Sequence, residues 1–301
     1  MSKNAWGVEI EPRPEAMGRA AVRTFLAAAL PRYLGCIGVP ASETAGCVGT
    51  LLDLGQRVDD EREYLRRIRA YIAPRIDRVV LTRSRDRRAR KLAGQIAPHL
   101  SGGVVVDLGC GDGAVGRLLS RRRRDLYIGA DVFRSAEFDR ASGGAFAVIG
   151  PDDHTALPAG CADAVVLANV LHHAERPRRV LREAARLLKP RARLVIVEAM
   201  LDPQPPTDTR CDRTLTRLNL ALSQCDRTFT TGFVDQLANT AGWSPGIEDP
   251  VSCPLNFNTR RGWRSALNAA GCEGVRVFDL GVDQPLGAGM FHGLLTARRS
   301  P

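Results

Sequence analysis

The stretch Val104-Val-Val-Asp-Leu-Gly-Cys-Gly-Asp-Gly113 decides the fold. Three β-branched residues and a leucine around Asp107 read as the end of a buried strand. Glycines at every second position follow (Gly109, Gly111, Gly113), and Ala114-Val-Gly-Arg-Leu-Leu119 then opens a helical pattern. Glycine is required where a backbone turns sharply or must lie against a ligand without an intervening Cβ. Strand, glycine turn and helix N-terminus together describe a nucleotide-like binding site. The spacing excludes two alternatives. A dinucleotide fingerprint would read G-x-G-x-x-G, and a P-loop would carry G-K-[ST] after its glycines. Here the order is D-x-G-x-G-x-G with no lysine following. An acid at the strand end would repel a phosphate and suits a cationic ligand.

The neighbouring segments extend the pattern. Leu126-Tyr-Ile-Gly-Ala-Asp-Val132 reads as a second strand ending in Asp131, which stands about 20 residues past the turn, where a βαβ unit places its ribose acceptor. Phe146-Ala-Val-Ile149 leads into Asp152-Asp-His-Thr-Ala-Leu-Pro158. Ala162-Asp-Ala-Val-Val-Leu-Ala168 is a fourth strand, followed by Asn169-Val-Leu-His-His173. Pro177 to Pro190 carries apolar residues at helical spacing and a proline stop, and Arg193-Leu-Val-Ile-Val-Glu198 is a fifth strand.

Residues 85 to 200 resemble the class I S-adenosylmethionine-dependent methyltransferases, most closely the small-molecule branch that includes the ubiquinone/menaquinone C-methyltransferases. The resemblance implies S-adenosyl-L-methionine as cofactor. It places Asp107, Gly109, Cys110, Gly111 and Gly113 in the cofactor turn, with Cys110 a small filler within it. It gives Asp131, flanked by Val132, to the ribose diol. The segment D-x-x-x-L-P matches Asp153 through Pro158, which assigns the adenine amino group to Asp153 rather than Asp152 and brings His154 beside it; Asn169 completes the set. It further implies a Rossmann-like α/β fold: a mainly parallel seven-stranded sheet with helices on both faces.

Outside that core, residues 1 to 80 read as an α-helical region serving as a lid or dimer surface. Pro14 to Leu26 begins a helix, a break falls around Gly35 to Pro40, and Ser42-Glu-Thr-Ala offers a cap. Tyr64, Ile68, Ile72, Ile76 and Val79 form an apolar stripe that Pro74 kinks or divides. Arg83 to Leu100 would be the helix entering the first strand. The methyltransferase core would occupy residues 81 to 301, with a cover insertion at 201 to 260 holding helices at Thr214–Leu222 and Thr230–Ala241. A helix at Trp263–Gly271 and strands at Val275–Leu280 and Phe291–Ala297 would finish the sheet, the last two as an antiparallel pair.

Composition fits an ordinary enzyme of 301 residues. No apolar run approaches the ~20 residues that cross a bilayer, and the early acid in Met1-Ser-Lys-Asn-Ala-Trp-Gly-Val-Glu9 argues against a signal peptide, which favours the cytoplasm. The formal charge of +10 raises nucleic acid as a partner. Its arginines, however, gather between Arg62 and Arg90 and in Arg121–Arg124, which ends a helix whose dipole they complement. The position of a catalytic N-P-P-Y-like tetrapeptide is held by Asn169-Val-Leu-His. A small-molecule acceptor is therefore expected instead, with a homodimer possible. The eight cysteines contain no C-x-x-C pair and read as reduced thiols. A soft substrate such as arsenic, as in the arsenite methyltransferases, would need ligand spacing that Cys211, Cys225 and Cys253 lack, so no metal site is expected.

Methyl transfer is an in-line displacement that rests on positioning, and a base is needed only for an acceptor that holds its proton. His172 and His173 follow the fourth strand at the ligand-binding edge of the sheet and are the candidate catalytic residues; the alternative is that the pair packs and caps the next helix. His292 on the last strand is expected to be buried and hydrogen-bonded. Phe229, Phe233, Phe257 and Trp263 line an acceptor pocket or form the core of the cover, as do Tyr33, Tyr64 and Tyr71 for the N-terminal helices.

Overall fold

The computed structural model describes residues 2–10, 13–58, 60–123, 126–141, 144–207, 210–242 and 254–301. Cys253 and Arg124 lie outside them. Seven strands form one sheet: β1 (Val104–Leu108), β2 (Leu126–Asp131), β3 (Ala145–Val148), β4 (Ala162–Ala168), β5 (Leu188–Ala199), β6 (Cys272–Gly281) and β7 (His292–Arg299). Their order is β3-β2-β1-β4-β5-β7-β6. Parallel pairing joins β1 to β2 and β4, β2 to β3, and β4 to β5. The order reverses between β1 and β4, so the carboxyl ends of these central strands face the switch-point crevice where open α/β sheets bind ligands. The mainly parallel sheet carries helices on both faces.

The helices are α1 (Arg13–Met17), α2 (Ala20–Ile37), α3 (Ala41–Arg57), α4 (Glu61–Ile72), α5 (Arg78–Ile96), α6 (Ala114–Arg123), α7 (Ala136–Ala141), α8 (Pro177–Leu187), α9 (Arg213–Leu220), α10 (Gln224–Gly242) and α11 (Arg260–Ala269). The chain divides into two compact units. One comprises residues 1–88, 199–257 and 279–292, the other 89–198, 258–278 and 293–301.

In the sheet unit, β1 and β4 are apolar almost throughout because both their faces are covered. The helix entering the sheet, whose residues up to Arg88 belong to the other unit, starts five residues earlier than its apolar pattern suggests. Asp77 caps it, its Oδ1 accepting from the Val79 (2.8 Å) and Val80 (3.2 Å) N–H groups. Ala89, Leu92, Ala93 and Ile96 are buried as the periodicity requires. The helix after β4 ends at Leu187, so Pro190 stands within β5 rather than beyond a helix stop. Trp263 and Leu267 on α11 are fully buried, which resolves Trp263 as core.

In the other unit, α1 and α2 replace the single expected helix, and Gly38 ends α2 in the left-handed region at φ +90°. Pro40, not Ser42, is the N-cap of α3. Pro74 divides the third apolar stripe as expected. Tyr64, Ile68 and Ile72 are buried on α4, but the chain re-enters a helix with a new phase and leaves Val79 59% exposed. Phe233 and Phe257 are core residues as well. Tyr33 is buried with its hydroxyl donating to the Leu237 carbonyl at 2.7 Å. Buried Arg227 on α10 donates to the carbonyls of Leu201 (2.6 Å), Asn219 (2.9 Å) and Leu222 (2.8 Å), and so fastens the segment after β5 to the end of α9. His292 is buried as expected, with Nδ1 3.4 Å from Asp283 Oδ1. That spacing is an ion-pair distance, and neither ring nitrogen makes a hydrogen bond among the described residues. The described cysteines are free thiols, Cys211 half-buried and Cys225 exposed.

Candidate active site

The turn after β1 is built by absence. Gly109, Gly111 and Gly113 all lie at positive φ (+76°, +55° and +69°), where a side chain is strained. A Cβ on Gly109 would sit 2.4 Å from Val170 Cγ2, and one on Gly113 would sit 2.7 Å from Phe138 Cδ2. A Cβ on Gly111 would meet nothing within 4 Å. Two glycines therefore admit protein neighbours, while the middle one keeps an open side. The Gly109 and Cys110 N–H groups both bond the Ala130 carbonyl (2.7 and 3.1 Å), which fastens the turn to β2.

Asp131 sits at the rim. Its Oδ2 accepts from the Gly111 N–H at 2.8 Å and its Oδ1 from the Val132 N–H at 2.7 Å, so the carboxylate is oriented before any ligand arrives. Burial pushes its pKa above the ordinary carboxylate range, against the pull of those N–H bonds. Beside it, Val132 and Phe133 are 71% and 51% exposed, an apolar surface next to a fixed acid. Asp107 lies beneath the turn, buried, accepting from the Tyr127 hydroxyl at 3.1 Å. Burial pushes its carboxyl up to about 7. Cys110 is the expected filler: it packs with Tyr127 and Phe138, with Phe146 against them. The Tyr127 ring in turn needs Gly116, where a Cβ would fall 1.8 Å from ring carbons.

The loop between β3 and β4 is held by charge. Asp153, itself at φ +65°, forms an ion pair with Arg176 (Oδ2 to Nε, 2.8 Å). His154 places Nε2 3.7 Å from Glu183 Oε2. Buried Glu183 accepts from the Thr155 N–H (2.9 Å) and hydroxyl (2.7 Å), and from two Arg186 nitrogens at 2.7 Å each. Burial alone would raise Glu183, and these donors bring it below the ordinary value instead.

After β4, Asn169 turns the chain at φ +58° and donates its N–H to the Val197 carbonyl at 2.8 Å. His172 is buried, and His173 lies half-buried with its ring centroid 4.1 Å away. His172 Nδ1 is 2.7 Å from Glu198 Oε2. The structure thus gathers Gly109, Cys110, Gly111, Gly113 and Asp131 about one hydrogen-bonded turn, with Asp107 at the end of β1 bonded to Tyr127 instead. Val170 joins the histidine loop to the turn, and Asp153 and His154 are engaged with Arg176 and Glu183.

Sequence reasoning missed Glu198, Glu183, Arg176 and Tyr127. Glu198 left a signal: an acid closing the apolar run Leu194-Val-Ile-Val197 in a strand buried on both faces. A charged group there must be bonded.

The arrangement fits an adenosyl sulfonium ligand. The open face of Gly111 admits backbone contact, oriented Asp131 offers a diol acceptor, and no lysine or arginine stands in the turn to hold a phosphate. Residues 106–196 match the family described as methyltransferase domain. No curated protein matches the chain. Among solved structures it is similar to a methyltransferase bound to the activator Trm112 from Haloferax volcanii (15% identity, 81% of this chain and 100% of that one, TM-score 0.48). It is also similar to 1,6-didemethyltoxoflavin-N1-methyltransferase from Burkholderia thailandensis (16%, 81% and 92%, 0.47) and to geranyl diphosphate C-methyltransferase from Streptomyces coelicolor (15%, 70% and 76%, 0.46). The matched span runs from within β1 into β5 and includes the glycine turn, so this part of the chain is similar to a methyltransferase domain, set in a mainly parallel seven-stranded sheet.

Proposed function

We propose that the protein transfers the methyl group of S-adenosylmethionine to a small-molecule acceptor through an O, N, C or S atom, in specialised metabolism in the cytoplasm. It would belong to the small-molecule branch that includes the ubiquinone/menaquinone C-methyltransferases. The observation that carries the reading is the open, pre-oriented cradle: Gly111 with a clear side and Asp131 fixed by the Gly111 and Val132 N–H groups. In it, Asp131 holds the ribose hydroxyls, Val132 and Phe133 face the adenine, and Asp107 favours the cofactor's positive charge from below. Asp153 is assigned the adenine amino group, sharing its carboxylate with Arg176. His172 is assigned the acceptor's proton where the acceptor must lose one, with His173 beside it. Residues 1 to 80 act as lid or dimer surface.

The test is incubation with methyl-labelled cofactor and fractionated host extract. Label is expected in small metabolites. Label confined to RNA or protein would overturn the reading in favour of a macromolecular methyltransferase, and the basic charge would then gain a role. Cofactor binding with no transfer to any fraction would indicate a non-catalytic partner subunit, since a fold does not guarantee an activity.

A further inference from the structure

Three donors converge on one carboxylate at the end of β5. Glu198 is fully buried. Its Oε1 accepts from the backbone N–H groups of Val170 (2.9 Å) and Leu171 (2.7 Å), and its Oε2 lies 2.7 Å from His172 Nδ1. A buried acid is costly unless its oxygens are bonded, and these are. Burial pushes its pKa up, yet the adjacent His172 and the N–H groups bring it below the ordinary range. An ionised carboxylate has only lone pairs to offer, so the proton between Oε2 and the ring resides on Nδ1. In the neutral imidazole the lone pair then lies on Nε2, and any proton His172 takes during turnover arrives there.

The same carboxylate reaches the cofactor turn. The two N–H groups on Oε1 belong to the loop after β4, and the Val170 methyls of that loop stand where a Cβ on Gly109 would be, at 2.4 and 2.6 Å. One side chain therefore sets both the tautomer of His172 and the seat of the loop against the glycine turn.

We propose that Glu198 is a positioning residue for methyl transfer, one that fixes the proton of His172 on Nδ1 and holds the loop after β4 in register with the cofactor turn. The inference rests on the reading of His172 as the residue that handles the acceptor's proton.

A tautomer can be read without knowing the acceptor. Long-range proton–nitrogen-15 NMR of the whole chain, with the His172 ring assigned from the spectrum of His172→Gln, is expected to show the neutral ring protonated on Nδ1. In Glu198→Gln the amide oxygen is taken by Val170 and Leu171, so the amide NH2 faces Nδ1. The tautomer should then invert to Nε2–H, and labelled methyl transfer should fall by about a hundredfold. A wild-type ring protonated on Nε2, or an inversion that fails to appear in the folded variant, would overturn the proposal. A purely structural Glu198 would lower the melting temperature and leave the tautomer unchanged. If Glu198→Gln does not fold, the wild-type spectrum decides alone. A wild type with the expected tautomer that labels no small molecule would refute the proposed function and leave the role of Glu198 in setting the tautomer standing.

Discussion

The two loops that frame the site are held in place by opposite means. The turn from Gly109 to Gly113 is shaped by side chains it lacks: its course depends on backbone at positive φ and on the space left for Val170 and Phe138. The loop from Gly150 to Pro158 is shaped by side chains it borrows, from Arg176, Glu183 and Arg186 on or beside α8. The first kind of construction is written locally and tolerates almost no substitution. The second is spread over some 30 residues of chain and is screened where it is exposed.

The largest effect should come from testing that difference inside the turn. Gly109→Ala adds left-handed strain of about 1–2 kcal/mol to an overpacking cost of about 1–3 kcal/mol, and should lower unfolding free energy by about 3 kcal/mol. Gly111→Ala meets only the strain, about 1–2 kcal/mol, yet its methyl occupies the open side and should weaken cofactor binding severely. Denaturant unfolding separates them. Equal destabilisation by both would show that the neighbour at Gly109 does not matter.

A smaller effect follows from Asp107, whose carboxyl burial pushes up to about 7. The cationic cofactor favours the ionised form, so affinity for S-adenosylmethionine should rise up to about tenfold from pH 6 to 8, and Asp107→Asn should abolish the rise. In the ligand-free protein the sign is opposite. The folded pKa exceeds the unfolded 3.8, so this group's contribution to stability is full below about pH 4 and is lost as pH rises through about 7. Affinity that is flat or falls with pH would remove Asp107 from the cofactor's neighbourhood.

The smallest effect belongs to the charge-held loop. The Arg176–Asp153 pair is 41% and 21% exposed, so Arg176→Ala should cost less than about 1 kcal/mol of stability. Releasing Asp153 should leave cofactor affinity unchanged or tighter. A marked loss of affinity would mean that Arg176 itself contacts the ligand.

This contrast also explains what could be read from the chain. The glycine turn was legible because glycine spacing and a strand-end acid report backbone geometry directly. The succession of strands and helices in the core followed from alternating periodicities, and Pro74 broke its helix where a proline must. Val79 was misplaced because an apolar stripe carries no record of the phase change after such a break. Glu198 and His172, 26 residues apart, and Asp153 and Arg176, 23 apart, meet only through the fold. A pairing of that kind leaves no periodicity, and the one trace in the sequence was an acid inside an apolar strand.

Calorimetric titration with S-adenosylhomocysteine, comparing wild type with Asp131→Ala, bears most directly on the cradle. Micromolar binding by the wild type is expected, with a loss of about 2–4 kcal/mol in the variant, because two charge-assisted hydrogen bonds to the ribose disappear. Equal binding by both proteins, or no binding by the wild type, would contradict it.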